Sequence, residues 1–222
     1  MTIAHHPSEE LLLDYASGAL SESWSLAVAT HLALCPVCRH EVARMEAVGG
    51  GLLDAVTPAG CSDAAFDAVL ARLTDGADAA PITVPRETLY ETARPAPVLP
   101  EPLRGYIGAD LDGVPWQRLG LGAYQCLVRT EDGVTARLLR IPAGRPVPEH
   151  THRGQELTLV LRGAFSDQTG HYGAGDFQDA DEHIKHQPHA APGEDCICLA
   201  ITDAPLRFQS LAARLVQPLL GI

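Results

Sequence analysis

The sequence predicts an α+β protein of two domains, a small all-helical domain followed by an all-β domain. Three observations support this prediction. Ala- and Leu-rich helix formers dominate residues 8–75, six prolines interrupt the following stretch, and short apolar runs with turn residues begin at residue 103. Because closely spaced prolines exclude a long helix, we place an extended linker at residues 76–102. The predicted domains are therefore residues 1–75 and 103–222.

Four helices are predicted in the first domain. Ser8 and Ser21 are suitable N-caps for the first two, because a serine side chain accepts a hydrogen bond from the N–H groups of the first turn. Pro36 suits the first turn of a third helix, and the three glycines at 49–51 interrupt or end it. Asp63 opens a fourth helix. The apolar side chains of this helix are Phe66, Val69, Leu70 and Leu73.

The second domain contains short strand-like runs separated by glycine, proline and aspartate. The clearest runs are residues 124–129, 136–141, 156–161 and 196–201. Regular short strands with turn signals predict a barrel or a sandwich. The apolar C-terminal stretch 211–219 is consistent with a further helix.

The charge balance limits the class of partner. The 222 residues carry a formal net charge of −12, whereas a nucleic-acid binder normally presents a basic stripe. No apolar run reaches the roughly 18 residues of a membrane span, and the N-terminus lacks a signal-peptide pattern. We therefore expect a cytoplasmic protein without direct nucleic-acid or membrane contact. Its six cysteines point to metal or redox chemistry before disulfides.

His31, Cys35 and Cys38 form an H-x3-C-x2-C pattern between the second and third predicted helices. A C-x2-C pair binds one tetrahedral ion from a tight turn, and His31 lies one helical turn before Cys35. A zinc ion then needs a fourth ligand, for which His5 and His6 are the nearest candidates. The competing interpretation is a redox C-x2-C pair beside a core histidine, but that motif needs a βαβ context that this helical segment lacks.

This pattern resembles the signature of the zinc-binding anti-sigma domain, in which an N-terminal histidine precedes H-x3-C-x2-C. The match falls on His6, His31, Cys35 and Cys38 and covers the predicted first domain. The additional His5 departs from the single-histidine pattern of the family. The resemblance implies a helical domain with a structural zinc ion that wraps a sigma factor and blocks its binding to RNA polymerase.

A second candidate metal site lies in the pattern G-x5-H-x-H-x3-E-x6-G, which runs from Gly144 to Gly163. Side-chain alternation along a strand places its His150, His152 and Glu156 on one face. The pattern resembles the first cupin motif at every spacing. This resemblance implies that the second domain is a cupin β-barrel with a metal bound inside it.

Three later histidines compete for the fourth position of this site, namely His183, His186 and His189. The glycine turn at residues 172–177 fits the second cupin motif, and His186, within His-Gln-Pro, best matches the motif of cupins attached to anti-sigma domains. The resemblance therefore implies His186 as the fourth ligand. Three histidines and one glutamate suit zinc or another divalent transition metal, because ligand type does not discriminate among zinc, iron, manganese and nickel.

Cys196 and Cys198 alternate within an apolar strand-like run, so both sulfurs face the same side. Two interpretations are open. The two residues suit a redox-sensing pair, or they are two small apolar residues of the core. The apolar surroundings favour the core interpretation.

The two motifs, in this order and joined by a proline-rich linker, resemble the ChrR-type anti-sigma factors over nearly the whole chain. The resemblance implies inhibition of an extracytoplasmic-function sigma factor by the zinc domain, through apolar residues on the first, second and fourth helices. It also implies that the cupin domain senses singlet oxygen or a related oxidant and promotes release, by rearrangement or through a protease. The alternative is a metal-dependent cupin enzyme, for example a dioxygenase, with a regulatory helical domain. We expect no catalytic residues, since no further base or nucleophile is identifiable by spacing.

Overall fold

The computed structural model describes residues 2–74, 97–120 and 122–208. The chain forms two compact units, of which the first runs from the N-terminus to Val48 and resumes at Pro97, and the second begins at Gly49. The apolar stretch 211–219 and most of the proline-rich stretch lie outside the described residues. Within the described residues, no helix combines the length and apolarity needed to span a membrane.

The described residues contain five α-helices and one short 3-10 helix at Leu111–Gly113. The α-helices are α1 (Glu9–Ala16), α2 (Glu22–Leu34), α3 (Pro36–Asp54), α4 (Asp63–Thr74) and α5 (Glu101–Ile107). The cap predicted at Ser8 is confirmed, because its hydroxyl accepts the N–H of Leu11 at 3.2 Å. Ser21 occupies the N-cap position of α2, but its side chain makes no capping bond to the first turn.

The prediction that three glycines interrupt or end the third helix is wrong. Helix α3 continues through residues 49–51 to Asp54. A glycine costs about 1 kcal/mol relative to alanine in a helix interior, but helical φ and ψ remain open to it. The leucines that follow, Leu52 and Leu53, are good helix formers, and they extend the helix by another turn.

Twelve strands lie in the described part of the chain after residue 116. They are β1 (Gln117–Gly120), β2 (Ala123–Val128), β3 (Thr135–Ile141), β4 (His150–Thr151), β5 (Glu156–Arg162), β6 (Ala164–Ser166), β7 (His171–Gly173), β8 (Phe177–Ala180), β9 (Lys185–His186), β10 (His189–Ala190), β11 (Cys196–Thr202) and β12 (Arg207–Phe208). All named pairings are antiparallel. The predicted runs agree with β2, β3, β5 and β11 to within one residue at each end.

The strands form three sheets, and within the described residues they do not close into a single barrel. The largest sheet has six strands in the order β1-β2-β3-β11-β5-β8. Two three-stranded sheets have the orders β10-β6-β7 and β12-β4-β9. The predicted cupin-like architecture is present, but its closure as one barrel is not.

The helices at residues 2–48, here called the helical part, pack on the six-stranded sheet of residues 97–208, here called the cupin part. Helix α2 contacts β5 and β11 in the middle of that sheet. Six of the seven residues of β5 are buried, which is typical of a strand covered on both faces. Leucines of the helices and of the sheet belong to one continuous apolar core. The helical part and the cupin part therefore share a core instead of forming separate ones.

This packing changes the availability of α2 for a partner. Leu26, Ala27 and Val28 of α2 are all buried. The apolar surface that the second helix offers a partner is therefore limited to its partly exposed residues, such as Trp24, Ala29 and Leu34.

Candidate functional site: two metal centres

The first candidate metal centre, here called the N-terminal centre, gathers His6, His31, Cys35 and Cys38. His31 lies in the last turn of α2, Cys35 is the residue that ends it, and Cys38 lies in the first turn of α3. The extended backbone of Cys35 lets the chain reverse before the new helix starts, so that the side chains on both sides converge. His6 reaches the same point from the segment that precedes α1.

The distances within the N-terminal centre match a tetrahedral ion. Nδ1 of His6 lies 3.4 Å from Sγ of Cys35 and 3.3 Å from Sγ of Cys38. Nε2 of His31 lies 3.3 Å from Sγ of Cys38. Ordinary zinc–sulfur and zinc–nitrogen lengths place such ligand pairs about 3.5 Å apart in a tetrahedron. Four protein ligands would leave no open position, which is typical of a structural site.

The structure decides between the two neighbouring histidines. His6 directs its ring to both sulfurs, whereas the ring of His5 packs at a tilt against Tyr172, with ring centroids 4.5 Å apart. His5 therefore belongs to the contact with the cupin part and not to the candidate ligand set.

Burial keeps the side chains of His31 and Cys38 uncharged when no metal is bound. It raises the pKa of Cys38 to about 12, with a further contribution from the hydrogen bond and charge of Cys35. It lowers the pKa of His31 to about 4, against the backbone hydrogen bond to Gly175. A neutral imidazole is the metal-binding form, whereas the thiol must lose its proton when a metal binds. Metal binding at this centre would consequently release protons.

The second candidate metal centre, here called the cupin centre, gathers His150, His152, Glu156 and His186. His150 and His186 lie opposite each other where β4 pairs with β9. Glu156 is the first residue of β5, and His152 lies in the turn between. Among the three competing histidines, the structure brings His186 to this group, whereas His183 and His189 are exposed.

The nitrogen atoms of the cupin centre converge at the spacing of metal ligands. Nε2 of His186 lies 3.0 Å from Nε2 of His150 and 3.2 Å from Nε2 of His152. Metal–nitrogen lengths of about 2.0–2.1 Å place neighbouring ligands about 3.0–3.4 Å apart, from octahedral to tetrahedral geometry. Nδ1 of His150 donates to the oxygen of Pro148 at 2.8 Å, which leaves its Nε2 lone pair facing the centre.

Two buried atoms of the cupin centre support a metal more directly. Nδ1 of His152 and Oε2 of Glu156 lie 3.1 Å apart but lack hydrogen-bond geometry, and neither finds another partner among the described residues. Unpaired polar atoms in a buried site are costly unless an ion or water satisfies them. A divalent cation at the centre would satisfy Oε2 of Glu156, and His152 would offer the ion one of its two ring nitrogens.

The charge of Glu156 suits this role. Burial alone would raise its pKa, but the neighbouring His150 and His152 outweigh that effect and hold the pKa of Glu156 well below its ordinary value. The carboxylate is therefore ionised and available to a cation. Three imidazoles and one carboxylate leave open positions on a metal with more than four ligands, at which a small molecule could bind.

Asp167 was not identified from the sequence, yet it orients a member of the cupin centre. Its fully buried Oδ2 accepts a hydrogen bond from Nδ1 of His186 at 2.7 Å, so that Nε2 of His186 faces His150 and His152. Such a carboxylate behind a ligating histidine is a common companion of metal sites. Only its tertiary position reveals it, because Asp167 lies 19 residues before His186.

Cys196 and Cys198 lie on β11 as free, buried thiols. The hydrogen bond to Cys196, burial and the charge of Glu156 together raise the pKa of Cys198 well above its ordinary value. A thiol with a raised pKa forms little thiolate and reacts slowly. This agrees with a core role near the cupin centre, and the redox pair remains a prediction.

Comparison with known proteins shows the family. The model of the ChrR cupin-like domain matches residues 105–204. The anti-sigma-E factor ChrR of Cereibacter sphaeroides is 46% identical to this chain over 228 residues, and the match covers 100% of both proteins. The chain belongs to the ChrR family.

One solved structure agrees with this relationship. The crystal structure of Rhodobacter sphaeroides SigE in complex with the anti-sigma ChrR matches with a TM-score of 0.78 at 44% identity, covering 91% of this chain and 100% of that one. An RmlC-like cupin protein from Ralstonia eutropha is 22% identical over 46% of this chain and 71% of its own, with a TM-score of 0.40. The ChrR family thus accounts for both the helical part and the cupin part.

Proposed function

We propose that this protein is an anti-sigma factor that binds and inhibits an extracytoplasmic-function sigma factor. The observation that carries this proposal is the 46% identity to the anti-sigma-E factor ChrR over the full length of both proteins. The match to ChrR from its complex with SigE supports the same class of partner. Sigma factors act on RNA polymerase, so the protein would work in the cytoplasm, without contacting DNA itself.

The N-terminal centre would hold a structural zinc ion through His6, His31, Cys35 and Cys38. The near-tetrahedral spacing of its nitrogen and sulfur atoms supports zinc, and thiolate with imidazole is a common zinc ligand set. The ion would tie the N-terminal segment to the junction of α2 and α3. Loss of zinc would loosen the helical part, because metal binding and folding are coupled.

Helix α4 offers the clearest docking surface for the sigma factor. Phe66, Val69 and Leu73 recur at helical spacing on one face and are 73%, 57% and 71% exposed. An apolar helical face of this kind fits a groove on a partner protein. The first and second helices contribute less, since Leu11 and Leu12 of α1 are buried together with the apolar residues of α2.

The cupin part would sense the signal that releases the sigma factor. Its centre would hold zinc or another divalent transition metal through His150, His152, Glu156 and His186. We propose an oxidant such as singlet oxygen as the signal, with release completed by rearrangement or by a protease. Cys196 and Cys198 of β11 are the candidate redox pair.

A regulatory role is favoured over the enzyme alternative. The relative that is 46% identical over its full length is an anti-sigma factor. The helical part also contributes to the same core as the cupin sheet. A metal-dependent dioxygenase would not require this shared core. The cupin centre is therefore assigned to signal detection.

The test is co-elution of the full-length protein with an extracytoplasmic-function sigma factor from the same genome, with metal content measured in the shared peak. A 1:1 complex that prevents transcription by RNA polymerase in vitro is expected. A folded, metal-loaded protein that neither binds any such sigma factor nor inhibits transcription would contradict the proposal. Consumption of dioxygen with a candidate substrate would instead favour the enzyme.

A further inference from the structure

The N-terminal segment is clamped onto the cupin part immediately before the candidate ligand His6. Oδ1 of Asp176 accepts the backbone N–H groups of Ala4 at 2.7 Å and His5 at 3.0 Å. The N–H of Phe177 donates to the oxygen of His5 at 3.1 Å. Asp176 is itself buried, so this ladder lies in a protected environment. The backbone position of His6 is consequently set by the turn between β7 and β8.

The same turn orients a second candidate ligand. Nδ1 of His31 donates to the backbone oxygen of Gly175 at 3.0 Å, in a buried contact. This bond fixes the tautomer and leaves Nε2 free to face Cys38. Gly175 adopts φ of 91°, a left-handed conformation that favours glycine. One short turn of the cupin part therefore positions two of the four members of the N-terminal centre.

A chain of side-chain contacts joins this turn to the cupin centre. Asp167, which accepts from His186, also accepts the hydroxyl of Thr169 at 2.6 Å. Since the Thr169 proton is used in that bond, the hydroxyl of Tyr172 donates to Thr169, at 2.9 Å. The ring of Tyr172 in turn packs at a tilt against the ring of His5. Contacts at van der Waals or hydrogen-bond distance thus run from His186 to the residue adjoining His6.

The backbone provides a parallel connection. The N–H of Gly175 donates to the oxygen of Val160 at 2.7 Å, and the N–H of Val160 donates to the oxygen of Asp176 at 3.0 Å. Val160 lies on β5, the strand that begins with Glu156 of the cupin centre. A displacement of β5 would therefore reach the carbonyl that holds His31.

We propose that the cupin part supplies the outer hydrogen-bonding shell of the N-terminal centre, and that Tyr172, Gly175 and Asp176 couple metal retention there to the state of the cupin centre. Asp176 and Tyr172 are positioning residues in this scheme, since they act on a metal through His5, His6 and His31. The coupling concerns metal retention and does not depend on which partner the protein binds.

The experiment uses the full-length protein loaded with Co²⁺. The cobalt–thiolate absorption reports only the N-terminal centre, because the cupin centre contains no cysteine. After addition of excess chelator, the decay of this band gives the rate of metal loss. Asp176→Asn is expected to lose cobalt about tenfold faster than wild type, the scale seen when an outer-shell partner is removed. Asp179→Asn, an exposed carboxylate on the strand β8 that follows this turn, is the matched control and should match wild type.

General destabilisation is distinguished by a second control. Asp132→Ala removes a contact at the opposite end of α2, remote from the N-terminal centre. If Asp132→Ala, with a similar loss of stability, accelerates cobalt loss as much as Asp176→Asn, the positioning role is overturned. His5→Ala, which removes the ring from its contacts with Tyr172 and with Oδ2 of Asp176, keeps the test valid should Asp176→Asn fail to fold. His5→Ala should accelerate cobalt loss relative to wild type. An unchanged rate would contradict the proposal that the cupin part positions the N-terminal segment.

The coupling itself is measured with a double-mutant cycle. His150→Ala disables the cupin centre and should accelerate cobalt loss from the N-terminal centre several-fold. In a Tyr172→Phe background, which keeps the ring but removes its hydroxyl, that acceleration should be diminished. If His150→Ala does not accelerate cobalt loss in the otherwise wild-type protein, the relay is overturned. It is also overturned if the acceleration is as large in the Tyr172→Phe background as without that substitution.

Discussion

The carboxylate of Asp132 caps helix α2 from a distance of 109 residues in sequence, accepting the backbone N–H of Ser23 at 2.8 Å. The hydroxyl of the buried Ser23 donates to the same carboxylate at 2.9 Å. Asp132 lies in the loop between β2 and β3. This loop of the cupin part therefore supplies the capping hydrogen bond that the side chain of Ser21 does not make. A negative charge at this helix end also interacts favourably with the helix dipole.

Replacement of this cap should destabilise the helical and cupin parts together, because they share one core. Asp132→Ala is expected to lower the free energy of unfolding by about 1 kcal/mol, whereas Asp132→Asn should retain most of it, since asparagine is also a good cap. Urea denaturation of the metal-loaded protein at neutral pH measures both. Equal stability of wild type and the alanine variant would refute the capping role.

The same pair predicts a dependence on pH. Burial raises the pKa of Asp132, but hydrogen bonds from Ser21 and Ser23 outweigh this and hold it well below its ordinary value. The contribution of the carboxylate is thus complete above the unfolded pKa of about 4 and is lost as pH falls through the lower native pKa. The stability difference between wild type and Asp132→Ala should therefore shrink in acid. If the difference in free energy of unfolding between the two proteins stays constant down to the lowest accessible pH, the assigned role of the Asp132 charge is wrong.

Removal of one cysteine ligand should cost one metal ion. Cys38→Ser is expected to lower bound zinc by about one ion per chain and to weaken sigma-factor binding, because the ion stabilises the helical part. Metal analysis of the purified variants, with binding measured in parallel, provides the test. Cys61→Ser is the matched control, as Cys61 is exposed and belongs to neither centre. Full zinc content in Cys38→Ser would remove this residue from the ligand set.

Loss of the cupin centre should separate signal detection from binding. His150→Ala is expected to retain sigma-factor binding but to blunt release when singlet oxygen is generated in the sample. The exposed His183, which lies outside the centre, provides the control variant His183→Ala. Release of the sigma factor from His150→Ala at the wild-type rate would mean that the cupin metal is not part of the sensor.

Charged substitutions on α4 should weaken the complex without unfolding the protein. Phe66→Asp and Leu73→Asp each place a charge at an apolar position that is exposed in the free protein. If the sigma factor covers these positions, they carry a large share of the binding energy. We expect an increase in Kd of about tenfold or more. Leu127→Asp, at an exposed position on β2, is the control. Unchanged binding by both α4 variants would exclude this face as the docking surface.

The candidate ligands were predictable because their geometry is local. One helical turn separates His31 from Cys35, a tight turn separates Cys35 from Cys38, and a single residue separates His150 from His152. Four of the twelve strands in the described residues, β2, β3, β5 and β11, were found within one residue, since apolar runs between turn residues are a short-range signal. The continuation of α3 through its glycines was missed, because a modest local cost does not by itself end a helix.

The sequence by itself determined which residues are suited to hold metals and where four of the helices and four of the strands in the described residues lie. The tertiary structure decided that His6 and not His5 joins the N-terminal centre, that α2 is buried on the cupin sheet, and that Asp167, Gly175 and Asp176 orient the ligands. The physical reason is range. Ligand spacing and strand alternation depend on backbone geometry over a few residues, whereas a cap from 109 residues away or a carbonyl from 144 residues away exists only after the chain has folded.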